Sequence, residues 1–169
     1  MALYAVTNST GIAAQVNMTT TDITLAAIIA STIAPAPVIQ LSRAKIYDLL
    51  VGVTGTPADN MIYWSIQRCT AGSTTAFTGY ASSLNLQLDQ ADATTKMSVV
   101  VNFCQETAYT YAQTNLPWYV GVNQRASYRW VAAPGSEIVL AATSSAGAGL
   151  RARSPANTNP GTVTVMWSE

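Results

Sequence analysis

The chain offers few side chains that could carry out chemistry. Its 169 residues include no histidine, and only eight are acidic and eight basic. Histidine is the usual proton carrier near neutral pH and the commonest metal ligand. Its absence excludes mechanisms of the serine-triad and cysteine–histidine types. The sequence therefore indicates a protein that is not an enzyme, and it predicts no catalytic residue, no cofactor and no metal ion.

Asp89 and Asp92 are two neighbouring carboxylates, but they lie among turn-forming residues. In a turn, an aspartate usually accepts hydrogen bonds from nearby backbone amides. A catalytic acid pair needs two carboxylates held in a cleft in different environments. A calcium loop needs a run of aspartate and asparagine with regular spacing. Neither pattern is present, so we expect both residues to stabilise a turn.

Asp48 is a charge in the middle of an otherwise apolar predicted strand. Arg125 and Arg129 share one face of a later predicted strand, and Arg68 is a third candidate partner. Charges that are half-buried persist when they are paired. We therefore expect a structural ion pair that joins Asp48 to Arg125 or Arg129.

The distribution of charge also limits the partners. The eight basic residues are scattered, so no run could follow a phosphate backbone, and we expect no nucleic-acid partner. The most apolar window, 23–39, is interrupted by Pro35 and Pro37 and is shorter than the ~20 residues that span a bilayer. We therefore expect no membrane partner. No basic residue precedes Arg43, unlike in a secretory signal, so we expect folding in a cytoplasm.

Alternation of apolar and polar residues dominates the chain and indicates β-strands. Residues 162–168 alternate in this way, whereas 44–51 and 96–104 are apolar on both faces, which predicts that both of their faces are covered. Turn-forming residues separate the runs at fairly even spacing, as in a sandwich or barrel. The predicted strands lie near 39–53, 60–69, 77–80, 97–104, 117–123, 127–132, 137–142, 148–153 and 162–168.

Residues 20–31 could begin a helix, but their β-branched residues favour a strand, which is what we expect. No internal domain boundary is visible. Residues 17–169 are predicted to form one domain, and residues 1–16 to form either an N-terminal arm or its first strand.

Several large apolar or thiol side chains fall within these strands. We expect Trp130 and Trp167 to anchor the core, because each alternates with polar neighbours. Cys69 and Cys104 are expected to be reduced thiols in the core, as is usual in a cytoplasm.

Four aromatic residues cluster in sequence: Tyr109, Tyr111, Trp118 and Tyr119. Large rings either pack in a core or form a platform for a sugar or a partner subunit. Both alternatives remain open here. In the second, these four rings are the candidate subunit interface.

A set of segments carries a resemblance to a known group of proteins. The segments are 43–48, 55–60, 67–68, 70–72, 123–135 and 167–169. Together they resemble small structural proteins encoded among the head genes of tailed bacteriophages. Members of that group look like jelly-roll capsid decoration, or cement, proteins that sit as trimers on the shell. The resemblance runs from about Ile39 to the end and contains no catalytic signature.

The resemblance implies an all-β jelly-roll sandwich of two antiparallel sheets and a non-enzymatic virion protein. It would be made in the host cytoplasm, form a homotrimer, and bind the major capsid protein on the outer surface of the head. An N-terminal arm could add a strand to a capsid subunit, with Ala2, Leu3, Tyr4 and Val6 as its contacts. The rival function is a receptor- or glycan-binding head domain of a phage fibre or spike.

Overall fold

All regular structure in the described part of the chain is β-strand. The computed structural model describes residues 1–8, 17–30, 43–56, 58–71, 86–93, 95, 97–101, 109–112, 116–143, 146–156 and 159–169. The strands are β1 (Leu3–Thr7), β2 (Ile23–Ala30), β3 (Ala44–Val53), β4 (Met61–Ala71), β5 (Leu86–Gln87), β6 (Met97–Val101), β7 (Tyr109–Tyr111), β8 (Trp118–Asn123), β9 (Tyr128–Val131), β10 (Ile138–Leu140), β11 (Ala146–Arg153) and β12 (Gly161–Ser168).

The strands form two antiparallel sheets. Sheet 1 has the order β10-β3-β12-β1-β5, with β9 also paired to β3, and sheet 2 has the order β6-β2-β11-β4-β7, with β8 also paired to β4. Each of the first four strands pairs with a strand from the later part of the chain: β1 with β12, β2 with β11, β3 with β9 and β10, and β4 with β8. This nested pairing is the jelly-roll arrangement. The predicted fold class, a jelly-roll sandwich of two antiparallel sheets, is therefore confirmed.

Side chains from both sheets fill the space between them. On β12, Val163, Val165 and Trp167 are buried in the core, and the residues between them are only partly buried. Trp64 of β4 contributes a second fully buried indole from sheet 2. Period-two alternation produces this arrangement, because successive side chains of a strand point to opposite faces.

Strand β2 shows why residues 20–31 lack alternation. All eight of its residues are buried, so both of its faces are covered. One face meets the core, and on the other Ile29 lies against Gly147 of β11, where an added Cβ would fall 2.7 Å from Ile29 Cγ1. The expected strand is confirmed, and its apolar character follows from burial on both sides.

Most of the predicted strands match observed ones. The predictions near 39–53, 60–69, 117–123, 127–132, 137–142, 148–153 and 162–168 correspond to β3, β4, β8, β9, β10, β11 and β12. Strands β5 and β7 were not predicted, because two or three residues are too few for an alternating pattern. The prediction near 97–104 corresponds to β6, as far as the chain is described there. The prediction near 77–80, and residues 102–104 with Cys104, lie outside the described residues.

The N-terminal residues belong to the sandwich. Strand β1 lies between β12 and β5 in sheet 1. Tyr4 and Val6 are almost fully buried, and the Tyr4 ring stacks on Trp167 with 5.6 Å between ring centroids. Core side chains cannot at the same time reach a capsid subunit, so the first-strand alternative replaces the arm for Tyr4 and Val6. Ala2 and Leu3 are partly buried, and residues 9–16 lie outside the described part.

Candidate functional site

The outer face of sheet 2 carries a cluster of polar and aromatic side chains, here called the tyrosine–arginine face. Its members are Asp22, Thr24, Tyr63, Ser65, Gln67, Tyr111, Tyr119, Arg151 and Arg153. They come from β2, β4, β7, β8 and β11, and Asp22 directly precedes β2. On β11 the two arginines alternate with Leu150 and Ala152, which lie in the core. Because successive side chains of a strand point to opposite faces, both guanidinium groups point away from the core.

Arg151 lies at the centre of the buried half of this face. Only 7% of its side chain is exposed, and its guanidinium lies 4.1 Å from the centroid of the Tyr111 ring. It donates hydrogen bonds to Gln67 Oε1 at 2.9 Å and to the backbone oxygen of Asp22 at 3.0 Å, and the Asp22 carboxylate is 3.6 Å away. A buried charge with these partners is a structural network.

Tyr111 reaches across the sheet to complete that network. Its hydroxyl is 2.5 Å from the Thr24 hydroxyl on β2. Its ring passes over Gly149 of β11, where an added Cβ would lie 2.6 Å from the phenol oxygen. Glycine at position 149 thus makes room for the ring, and Tyr111 ties an edge strand to the centre of the sheet.

The exposed half of the face consists of Tyr63, Tyr119 and Arg153. The two tyrosine rings are stacked, with centroids 6.0 Å apart and planes 16° apart. The Arg153 guanidinium lies 5.1 Å from the Tyr63 centroid. A hydrogen bond from Arg153 to the Tyr119 side chain, helped by the charge of Asp22, raises the pKa of Arg153 above its ordinary value. Tyr119 is 49% exposed and the Arg153 side chain 47%.

The structure separates one of the four rings that were predicted as subunit contacts, Trp118, from the other three. Trp118 is 9% exposed and packs at the edge of the core, 6.5 Å from Trp130 between ring centroids. Tyr119, the next residue, points to the opposite side of β8 and joins Tyr111 on the outer face. Tyr109 lies on β7. Consecutive residues of one strand cannot share a surface, so Trp118 and Tyr119 do not contribute to one interface.

The Asp48 carboxylate is paired with Arg129. Arg129 donates from Nε to both carboxylate oxygens, at 3.1 and 3.2 Å, and from Nη2 at 2.5 Å. This bonding raises the pKa of Arg129. Arg125 takes no part, because it lies in the turn before β9 and contacts the exposed carboxylate of Asp59 at 2.7 Å. Arg68 instead donates to the backbone oxygen of Val139.

The outer face of sheet 1, here called the threonine face, has a different character. Its members are Thr7, Leu50, Leu86, Val131, Thr162, Thr164 and Met166. The register of the antiparallel pairs across β9, β3, β12, β1 and β5 places all of them on one face of the sheet. Each is at least partly exposed. The Asp48–Arg129 pair lies within this face, where its two charges balance.

Potential metal ligands do not cluster in the described part of the chain. No three histidine, cysteine or acidic residues cluster there in a way that could hold a metal ion. The Asp89 carboxylate accepts from the Ala91 amide at 2.9 Å, and the Asp92 carboxylate from the Leu3 amide at 3.1 Å. These are the hydrogen bonds of a turn and of a strand end. Cys69 is buried. No helix in the described ranges is long and apolar enough to cross a membrane.

Comparisons with protein-family models, with curated proteins and with solved structures found no match for this chain.

Proposed function

We propose that the protein is a trimeric decoration protein that binds the outer surface of a tailed-phage head and stabilises it. The threonine face of sheet 1 is the observation that carries this proposal. It presents hydroxyl and apolar groups together with the Asp48–Arg129 pair, and Lys45 of β3 is a further charged residue on it. A neighbouring subunit can therefore cover most of this face without desolvating an unpaired charge. The formal net charge of zero removes like-charge repulsion between copies that pack closely.

Exposed apolar side chains lie at both edges of this face. Leu50 and Val131, near the β9 edge, are 44% and 57% exposed, and Leu86, on β5 at the other edge, is 57% exposed. In a three-fold ring, each interface joins two different patches of neighbouring copies. The β9 edge of one copy would meet the β5 edge of the next, and closure of the ring would cover all three residues.

The resemblance to phage head proteins supports the capsid as the partner. A fold alone does not imply a function, and jelly rolls occur in capsid and lectin domains alike. In the proposed role no chemical step is needed. A rigid trimer bridges adjacent capsid subunits and buries surface across their seams, which opposes the outward pressure of packaged DNA.

The test combines light scattering of the purified protein with sedimentation on phage heads that lack it. We expect a species of three 17.8 kDa chains and saturable binding in many copies per head. Binding in a few copies at one vertex would support the fibre or spike head domain instead. A monomer that does not sediment with heads would refute the decoration function.

A further inference from the structure

We infer that the exposed half of the tyrosine–arginine face binds a carbohydrate. This site lies on sheet 2, away from the threonine face, and does not depend on the proposed capsid function. The site consists of the Tyr63 and Tyr119 rings and the Arg153 guanidinium of that half, together with the neighbouring Asp22 carboxylate.

The Tyr119 ring offers a surface for one face of a sugar. A pyranose has an apolar face of C–H groups and a rim of hydroxyls. The C–H groups, which carry slight positive charge, pack against the negative face of an aromatic ring. Tyr119 is half exposed, and its stacking on Tyr63 fixes the plane of the ring.

Arg153 and Asp22 supply the polar contacts. A sugar hydroxyl both donates and accepts hydrogen bonds, so a site for vicinal hydroxyls needs a donor beside an acceptor. The Arg153 Nε lies 3.9 Å from Asp22 Oδ1, with 47% and 27% of the side chains exposed. Arg151 approaches the same carboxylate, so two guanidinium groups share one acidic group. The site therefore has no excess negative charge to hold a cation.

The site is held in place before any ligand arrives. Gln67 donates to Asp22 Oδ2 at 3.2 Å, and Arg153 bonds to Tyr119. Tyr63 and Tyr119 come from the paired strands β4 and β8, where Gly121 stands opposite Tyr63. Groups on rigid strands lose little entropy on binding.

The exposed area also favours a small ligand over a protein. A stable protein interface needs about 800 Å² from each partner. Beside the exposed half, Thr24, Ser65 and Gln67 are each no more than 5% exposed, and Arg151 is 6% exposed. The accessible part of the cluster thus suits a single sugar ring or a short chain of them.

The test is saturation-transfer difference NMR with methyl glycosides of glucose, galactose and mannose and with their short oligomers. We expect the C–H protons of one face of the bound sugar to receive saturation. Tyr119→Ala should weaken binding about tenfold or more, because the stacking ring is lost. Tyr119→Phe keeps the ring and should lose less. Arg153→Gln should also weaken binding and provides a second variant if Tyr119→Ala does not fold.

Tyr128→Ala is the matched control, since Tyr128 is a 39% exposed tyrosine on sheet 1; it should bind sugar like the unchanged protein. Circular dichroism melting checks the fold of every variant. The inference is overturned if no sugar in the panel receives saturation, or if folded Tyr119→Ala binds unchanged. A change of oligomeric mass in Tyr119→Ala without any sugar binding would identify a protein interface and overturn it as well.

Discussion

The Tyr111 ring lies over Gly149, so close that a Cβ at position 149 would fall 2.8 Å from the ring carbon Cε1. This contact couples two strands that are not neighbours, because β4 lies between β7 and β11. The ring also lies against the Arg151 guanidinium, and its hydroxyl is hydrogen-bonded to the Thr24 hydroxyl. One glycine therefore permits an aromatic side chain to hold the outer face of sheet 2 together.

Gly149→Ala should destabilise the protein by about 1–3 kcal/mol, because the new methyl group forces the Tyr111 ring out of place. Urea unfolding measures the change. In the double variant Gly149→Ala with Tyr111→Ala the ring is absent, so the alanine at 149 should cost much less than it does alone. Additive costs in the two single variants and the double variant would show that the contact is not responsible.

Arg151→Met should lower the free energy of unfolding by about 1–3 kcal/mol, because it leaves the buried Gln67 amide oxygen without its donor. The control is Arg153→Met on the same strand. Its side chain is 47% exposed, so that loss should stay below about 1 kcal/mol. Thermal melting of both variants compares them directly. Equal losses would mean that burial does not distinguish the two arginines.

Alkaline pH should destabilise the fold through Tyr4. Burial, followed by the charges of Glu169 and Asp92, raises the pKa of Tyr4 above its ordinary value of 10.0. The folded state therefore holds the phenol proton more tightly than the unfolded state does. The resulting stability is fully present below pH 10.0 and is lost as the pH rises through the folded-state pKa.

Tyr4→Phe removes this proton and is the variant that tests the effect. At neutral pH it should cost about 1 kcal/mol, because the hydroxyl no longer donates to the backbone oxygen of Ala93. Above pH 10 its stability should fall less steeply than that of the unchanged protein, as measured by urea unfolding over a pH series. Identical slopes for the two proteins would contradict the role of Tyr4.

The alternation in residues 162–168 was enough to predict β12 and the burial of Trp167, because period two marks one face of a strand. The same pattern overestimated the burial of Trp130. This residue is only partly buried, because β9 pairs on one side alone, with β3. For Trp118 and Tyr119 the alternation itself could have separated core from surface. The burial of Arg151 has no local signal, because Asp22, Gln67 and Tyr111 come from distant parts of the chain.

The strand pattern indicated a sandwich or barrel, and only the resemblance implied the jelly roll. The place of the first strand followed from neither. The segment Leu3–Thr7 reads equally well as an arm, since nothing in its five residues specifies β12 and β5 as partners. The ion pair was predicted as a choice between two arginines. Pairing of β9 with β3 decides it, because Val131 lies opposite Asp48 and places Arg129 on the same face.

Leu86→Glu should dissociate the proposed trimer while leaving each chain folded. Leu86 is 57% exposed on β5, at the edge of the threonine face that would meet the next copy. A carboxylate there would have to be buried without a partner in each of three equivalent interfaces, which disfavours assembly. In the monomer it faces water, so the melting temperature extrapolated to low protein concentration should change little.

Leu116→Glu is the control, since Leu116 is 41% exposed and precedes β8 in sheet 2. Light scattering over a range of concentrations should find monomers for Leu86→Glu and trimers for Leu116→Glu. A Leu86→Glu protein that stays trimeric would place the interface elsewhere, and equal dissociation of both variants would mean that sheet 2 also contributes to it.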